Sequence, residues 1–220
     1  MTTFTPVNTD MAAYYAQRAN DYELVYDKPE RQADLAILKR SVRDVLAGHD
    51  VLEVACGTGY WTREIAATAA SVLATDINQA VIDVALTKNL PADKVTYALD
   101  DAFDLKADGA FTACFGGFWW SHVKRDQQDA FFARLREMLG KDALVVLLDN
   151  VYVEGSSISI ARTDLEGNTH QIRRLPSGER YEVVKNFPSD SSLRKRLSHA
   201  VKEIRIQRLE HYWMLTCKLK

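Results

Sequence analysis

The stretch Val51-Leu-Glu-Val-Ala-Cys-Gly-Thr-Gly59 limits the folds open to this chain more than any other. An apolar run, Val51–Val54, carries a carboxylate at Glu53 and runs into two glycines one residue apart, after which a helical pattern begins at Trp61. Glycine reaches left-handed backbone conformations without a steric cost, and it lets a ligand lie against bare main chain. A strand, a glycine turn and a helix in that order form the grammar of a nucleotide-like binding site.

The same alternation recurs downstream. Strands are predicted at Val51–Val54, Val72–Thr75 (ending in Asp76), Val95–Leu99, Ala110–Phe115 and Ala143–Leu148. Helices are predicted at Trp61–Ala70, from an Asn78 cap to about Asn89, and from an Asp126 cap to Gly140. Strands apolar on both faces, separated by helices, predict a parallel sheet whose strand ends share one ligand-binding edge. The expected α/β fold is a doubly wound, Rossmann-like, seven-stranded and mostly parallel sheet with helices on both faces.

Residues 1–48 are predicted as an N-terminal helical lid, broken near Lys28-Pro29, with a second helix from Pro29 to Leu46. Tyr14, Arg18, Tyr22 and Tyr26 recur every four residues and so share one helical face. Residues 49–150 form the expected core of a single domain spanning 1–220. Residues 151–220 are read as a substrate-side β-hairpin (Thr169–Arg174 and Arg180–Val184) inserted after the fifth strand. A short helix capped by Ser189 or Ser191 follows, then two antiparallel closing strands, Val201–Leu209 and Tyr212–Leu219.

Charge is uneven although its net is only −2: residues 160–220 hold 13 Lys/Arg against 7 Asp/Glu, and the rest hold 15 against 23. Arg173, Arg174, Arg180 and Arg194–Arg196 therefore leave a polyanionic partner open, but the absence of one dense basic block favours a solvated surface and makes nucleic acid an unfavoured partner. The strongly apolar run Ala143–Leu148 is too short to span a bilayer, and the first residues lack a signal-peptide pattern. Cys56, Cys114 and Cys217 are odd in number and set in apolar context, as expected of reduced thiols in a cytoplasmic protein. No His/Cys/acid cluster has metal-ligand spacing, so no metal is expected.

The glycine turn admits few ligands. A triphosphate loop needs Gly-Lys-Ser/Thr after the second glycine, where this chain has Gly59-Tyr-Trp. A dinucleotide site wants a third glycine at the position of Thr62 and puts pyrophosphate close to Glu53, an electrostatically poor neighbour. A cationic ligand with an adenosine end removes that conflict.

Glu53-Val-Ala-Cys-Gly57-Thr-Gly59 resembles the first motif of class I S-adenosylmethionine-dependent methyltransferases, and the resemblance extends in order and spacing over residues 50–150. It implies S-adenosylmethionine as cofactor, Asp76 on the ribose hydroxyls, and Asp101-Ala102 reading adenine with Phe103 stacking nearby. Further candidate cofactor residues are Ala55, Thr62, Ile77 and Gly116, together with Tyr14, Arg18 and Tyr22 from the lid, whose aromatic walls and one guanidinium suit a carboxylate.

Gly116-Gly-Phe-Trp-Trp-Ser-His122 follows the fourth strand, where such enzymes place the acceptor. Phe118, Trp119 and Trp120 are candidates for stacking a planar substrate, Asp149 is a further substrate-side candidate, and His122 is a candidate general base. The Asn/Asp-Pro-Pro-aromatic motif of adenine and glutamine methylation is absent, and Cys114 lies too early for base-C5 chemistry. The expectation is methyl transfer to a nitrogen or oxygen of a small, planar or heterocyclic molecule, by a monomer or homodimer. An RNA- or protein-directed enzyme and a non-catalytic cofactor binder are the alternatives.

Overall fold

A computed structural model describes residues 7–220. In chain order, β1 (Val7–Asn8) and α1 (Met11–Gln17) lead into a 3-10 segment, Ala19–Tyr26. A 3-10 turn at Pro29–Arg31 precedes α2 (Gln32–Val45), which buries Leu35, Leu38 and Val42 at helical spacing. The core then alternates β2 (Asp50–Val54), α3 (Tyr60–Ala66), β3 (Ser71–Asp76), α4 (Gln79–Leu86), β4 (Val95–Leu99), β5 (Ala113–Gly117), α5 (Gln128–Leu139) and β6 (Leu144–Asn150). Beyond it lie β7 (Arg162–Thr163), β8 (Thr169–Arg174), β9 (Arg180–Val184), α6 (Asp190–Leu197), β10 (Val201–Arg208) and β11 (Tyr212–Leu219).

The main sheet has seven strands in the order β10-β11-β6-β5-β2-β3-β4. Strands β2 to β6 run parallel, whereas β11 is antiparallel to both β6 and β10. The doubly wound sheet therefore has the predicted form. Strand order reverses between β2 and β5, so the ligand crevice opens at the C-terminal end of β2, which is the glycine turn.

Several boundaries differ from the sequence reading. The tyrosine ladder does not follow one α-helix: α1 stops at Gln17 and the chain tightens into the 3-10 segment, which changes the angular step between residues. Strand β5 starts three residues later than predicted and takes Gly116 and Gly117 into the sheet, paired with Leu147 and Leu148. Asp126 does not cap α5, which begins after Gln127 without a side-chain cap. Asn78 and Ser189 do cap α4 and α6, accepting from Ala80 N–H and Ser192 N–H.

The predicted hairpin is only the middle of a second sheet. Four strands run in the order β1-β9-β8-β7, and β1 joins β9 in parallel through Val7 opposite Arg180. The N-terminal arm is thus stitched to the insertion. Tyr14, Leu175, Tyr181 and Val183 form a small core between them.

Candidate active site

The turn after β2 is shaped by backbone conformations that glycine tolerates. Gly57 and Gly59 have φ of +56° and +77°. A Cβ on Gly59 would lie 3.0 Å from Ala85 Cβ, so α4 packs directly on the turn. Ala55 is also left-handed, at φ 51°, a conformation costing an alanine about 1–2 kcal/mol. Asp76, at the end of β3, accepts the Gly57 N–H at 2.9 Å through one carboxylate oxygen and the Asn78 N–H at 3.0 Å through the other.

This turn floors a cavity of about 370 Å³ at the C-terminal edge of the sheet. Glu53, Ala55, Gly57, Asp76, Ile77, Asp101, Ala102 and Phe103 line it. Ile77 is 56% exposed, an apolar side chain at the cavity edge. Asp101 accepts the Phe103 N–H at 2.9 Å, and Asp100 accepts the Lys106 and Ala107 N–H groups, which fixes the loop after β4. Glu53 is 1% exposed, and its Oε2 has no hydrogen-bond partner among the described residues. Burial raises its pKa to about 8, an effect only partly opposed by the neighbouring Thr62 hydroxyl. A buried carboxylate in this condition calls for a cation or a donor from a ligand.

The N-terminal arm closes over the cavity. Thr58 Oγ1 donates to Glu23 at 2.7 Å, Lys88 donates to the same carboxylate, and Asn78 Nδ2 donates to the Ala12 carbonyl at 3.0 Å. Tyr26 stacks on Tyr60 with ring centroids 3.8 Å apart. These contacts bind the 3-10 segment and α1 to the glycine turn and to α4.

A second chamber of about 270 Å³ lies on the other side of the lid. Tyr15, Tyr22, Tyr26, Phe118 and His122 line both chambers and make the partition between them. The Tyr15 hydroxyl lies 2.8 Å from His122 Nε2, while His122 Nδ1 faces the Val184 carbonyl. That carbonyl can only accept, so Nδ1 carries the proton and Nε2 accepts from Tyr15. Burial, then the charge of Lys185, pushes the His122 pKa down to about 3, leaving the imidazole neutral.

The remaining predicted residues fall in different places. Tyr14 borders neither chamber and packs on Tyr181 in the small core. Arg18 lines the second chamber rather than the first, and its guanidinium lies over Tyr14. Gly116 lies inside the sheet, where a Cβ would meet Leu147 at 3.2 Å, and Gly117 borders the first chamber in its place. Thr62 is fully buried behind Glu53.

The aromatic loop divides. Phe118, at φ 57°, faces both chambers, and Trp119 faces the first. Trp120 turns into the core against Phe131 and Phe132, outside both chambers. Asp149 is fully buried and is no substrate-side group. It accepts from Lys185 Nζ at 2.9 Å and Ser121 N–H at 2.8 Å, and these partners hold its pKa down against burial. His122 has both ring nitrogens engaged, so its lone pair is not free for an acceptor.

Sequence reasoning passed over Tyr15, Arg31, Lys185 and Gly117. Tyr15 stands on α1 and Tyr22 on the 3-10 segment, so no single helical period in the sequence marks the pair. Arg31 and Lys185 meet only through tertiary packing. Of the basic residues weighed for a polyanion, Arg173 lines the second chamber, while Arg194, Lys195 and Arg196 stand in the last turn of α6.

A sheet of this order, with acids at the ends of β2, β3 and β4 around a glycine turn, is of the class suited to a cationic adenosyl ligand. Comparison with known proteins gives the same class. Residues 51–142 match the family described as "Methyltransferase domain". A structure of a DhpI-SAH complex is 28% identical, covers 94% of this chain and 94% of that one, and superposes with a TM-score of 0.76. A DhpI-SAM-HEP complex is 27% identical, covers 97% and 99%, and has a TM-score of 0.78. The 1,6-didemethyltoxoflavin-N1-methyltransferase of Burkholderia thailandensis shares the fold, with a TM-score of 0.61 at 14% identity over 99% of this chain and 93% of that one. No curated protein matched. Over residues 51–142 the chain matches a methyltransferase domain, and over nearly its whole length it is similar to structures of DhpI in complex with S-adenosylhomocysteine or S-adenosylmethionine, in keeping with the class I S-adenosylmethionine-dependent methyltransferases.

The residues present suit that cofactor. An unpartnered buried carboxylate, a left-handed glycine turn closed by α4, and an acid at the end of β3 provide for a cation, for close main-chain contact and for hydroxyl groups. Among the described residues no cluster of three or more His, Cys, Asp or Glu is placed to hold a metal ion, and no helix is long and apolar enough to cross a membrane. The three cysteines are free and buried.

Proposed function

We propose that the protein methylates a nitrogen or oxygen of a small molecule held in the second chamber. The observation that supports this reading is the partition: two adjoining cavities share Tyr15, Tyr22, Tyr26, Phe118 and His122, so ligands in the two would face each other across these side chains. A chamber of about 270 Å³ suits a small molecule rather than a polymer segment.

The cofactor supplies an electrophilic methyl on a sulfonium. In this proposal Glu53 faces its cationic portion, Asp76 takes the ribose hydroxyls, and Asp101, Ala102, Ile77 and Phe103 surround the base. Gly57 and Ala55 provide the close backbone surface, while Gly59, which does not line the chamber, lets α4 pack behind the turn. The aromatic partition excludes water and aligns the acceptor, an orientation effect worth about 7–11 kcal/mol in well-arranged systems. His122 serves as a positioning residue that fixes the Tyr15 hydroxyl. Because its lone pair is occupied and its ring is neutral, the acceptor atom must already be nucleophilic at neutral pH.

The test is incubation with methyl-labelled S-adenosylmethionine and fractionated extract. Label in low-molecular-weight products is expected; label in RNA or protein refutes the acceptor class. In parallel, Asp76→Ala is expected to weaken S-adenosylhomocysteine binding about 10- to 100-fold by calorimetry, the loss of a charge-assisted hydrogen-bonding group. Unchanged affinity would remove Asp76 from the cofactor site.

A further inference from the structure

The second chamber has a charge the partition does not explain. Arg18, Lys28, Arg31, Arg173 and Lys185 line it, and no aspartate or glutamate does. Only Lys185 among them has a carboxylate partner among the described residues, Asp149. Arg31 is 7% exposed, and it donates through Nη2 to Ser156 while its buried Nε has no partner. Arg173 donates through Nη2 to the Gln171 side chain at 2.6 Å, and its buried Nε is likewise unpartnered. Among the described residues the Lys28 ammonium donates to the Ser156 carbonyl alone, and the Arg18 guanidinium meets the Tyr14 hydroxyl and ring.

Like charges that converge on a small cavity repel, and a guanidinium withdrawn from water without a counter-charge is costly. Such an arrangement is stable when a ligand completes it. Two guanidinium groups with free donors suit a group with several oxygens in one plane or on one tetrahedron, since each offers a fork of parallel N–H bonds. Neutral polar neighbours, Ser156, Ser157, Gln171 and Asn150, are placed to complete the remaining hydrogen bonds.

We infer that the second chamber is an oxyanion site: the methyl acceptor carries a carboxylate or phosphoryl group that Arg31 and Arg173 grip, with Arg18 and Lys28 at the mouth. The inference rests on the methyltransferase reading for the word acceptor, but the anion site itself stands on the chamber alone. It also explains the composition of the wall. The cations come from the lid (Arg18, Lys28, Arg31) and from the second sheet and its exit (Arg173 on β8, Lys185 just after β9), the two parts that β1 stitches together. The site is therefore assembled only when the arm is docked.

The test uses the full chain with and without saturating S-adenosylhomocysteine, titrated with inorganic phosphate or acetate against chloride at equal ionic strength. Thermal stabilisation by phosphate or acetate beyond chloride is expected, and whichever ion acts at lower concentration assigns the phosphoryl or carboxylate class. Arg173→Gln is expected to raise the midpoint of that stabilisation about tenfold or more, while S-adenosylhomocysteine affinity changes less than about threefold. Arg18→Gln, at a half-buried residue outside the core, gives a second reading should Arg173→Gln fold poorly. Equal stabilisation by all three ions, or an oxyanion effect that survives both substitutions, overturns the site. Absence of S-adenosylhomocysteine binding would instead strike the methyltransferase reading, because the anion titration is read in both states.

Discussion

The two chambers touch through one aromatic wall yet are built from opposite materials. The first has Glu53, Asp76, Asp100 and Asp101 on its lining and one lysine, Lys124; the second has five cations and no acid. The first is assembled from strand ends and the turns that follow them, each within a few residues of the next contact. The second draws on residues from position 15 to position 212. Under the proposed function, charge complementarity accounts for the pairing: carboxylates attract a sulfonium-bearing cofactor, and the opposite sign next door discourages either ligand from occupying the wrong chamber.

The comparison breaks first at the glycine turn. Gly59→Val places a β-branched residue at φ +77° and a Cβ 3.0 Å from Ala85. S-adenosylhomocysteine affinity is expected to fall more than about a hundredfold by calorimetry, with the helical circular dichroism retained. Near-native affinity would mean that the turn is not the floor of the cofactor site.

Trp120→Ala separates core from chamber. Removing a ring that is 2% exposed is expected to cost about 3–5 kcal/mol of unfolding free energy in denaturant. Cofactor and anion affinities of the folded fraction should stay within about twofold. A selective loss of anion binding at full stability would put Trp120 back among the substrate residues.

The first chamber also predicts a pH dependence. Glu53 titrates near 8 in the fold and in the ordinary carboxylate range when unfolded, so the native state holds a proton there that the unfolded state has lost. Stability of the ligand-free protein is therefore expected to fall as pH rises from about 4.5 to 8, with Glu53 contributing up to about 1.4 kcal/mol per pH unit. Glu53→Gln should flatten that slope in chemical denaturation; an unaltered slope would show that Glu53 is ionised in the ligand-free fold.

The smallest effect belongs to Asp101, which is exposed. Asp101→Ala is expected to weaken S-adenosylhomocysteine less than about fivefold, since water competes for the same hydrogen bonds. A loss as large as that of Asp76→Ala would mean that the loop closes over Asp101 when the cofactor binds.

The first chamber was legible because its chemistry is local. Glu53, Gly57, Gly59, Asp76 and Asp101 sit at the ends of successive apolar runs, and a parallel sheet brings such ends to one edge whatever the loops do. The lid was legible only as helix. The tyrosine ladder assumed 3.6 residues per turn throughout, but α1 ends at Gln17 and 3-10 geometry follows, so Tyr14 faces the small core while Tyr22 and Tyr26 face the partition. The aromatic loop failed for a related reason: three bulky residues in a row cannot all face one way, and Phe118, in a left-handed conformation, reverses the direction of those that follow.

Read alone, the sequence determined the sheet, its ligand edge and the acids that line the first chamber, since these depend on periodicity and spacing within about a hundred residues. Tertiary structure decided the rest. The pairing of Val7–Asn8 with Arg180–Tyr181 binds the arm to the insertion. That docking brings Arg31 and Arg173 to one small cavity, and it leaves His122 between Tyr15 and the Val184 carbonyl. Contacts between segments more than a hundred residues apart have no periodic signature, because either side chain satisfies its own helix or strand equally well without the other.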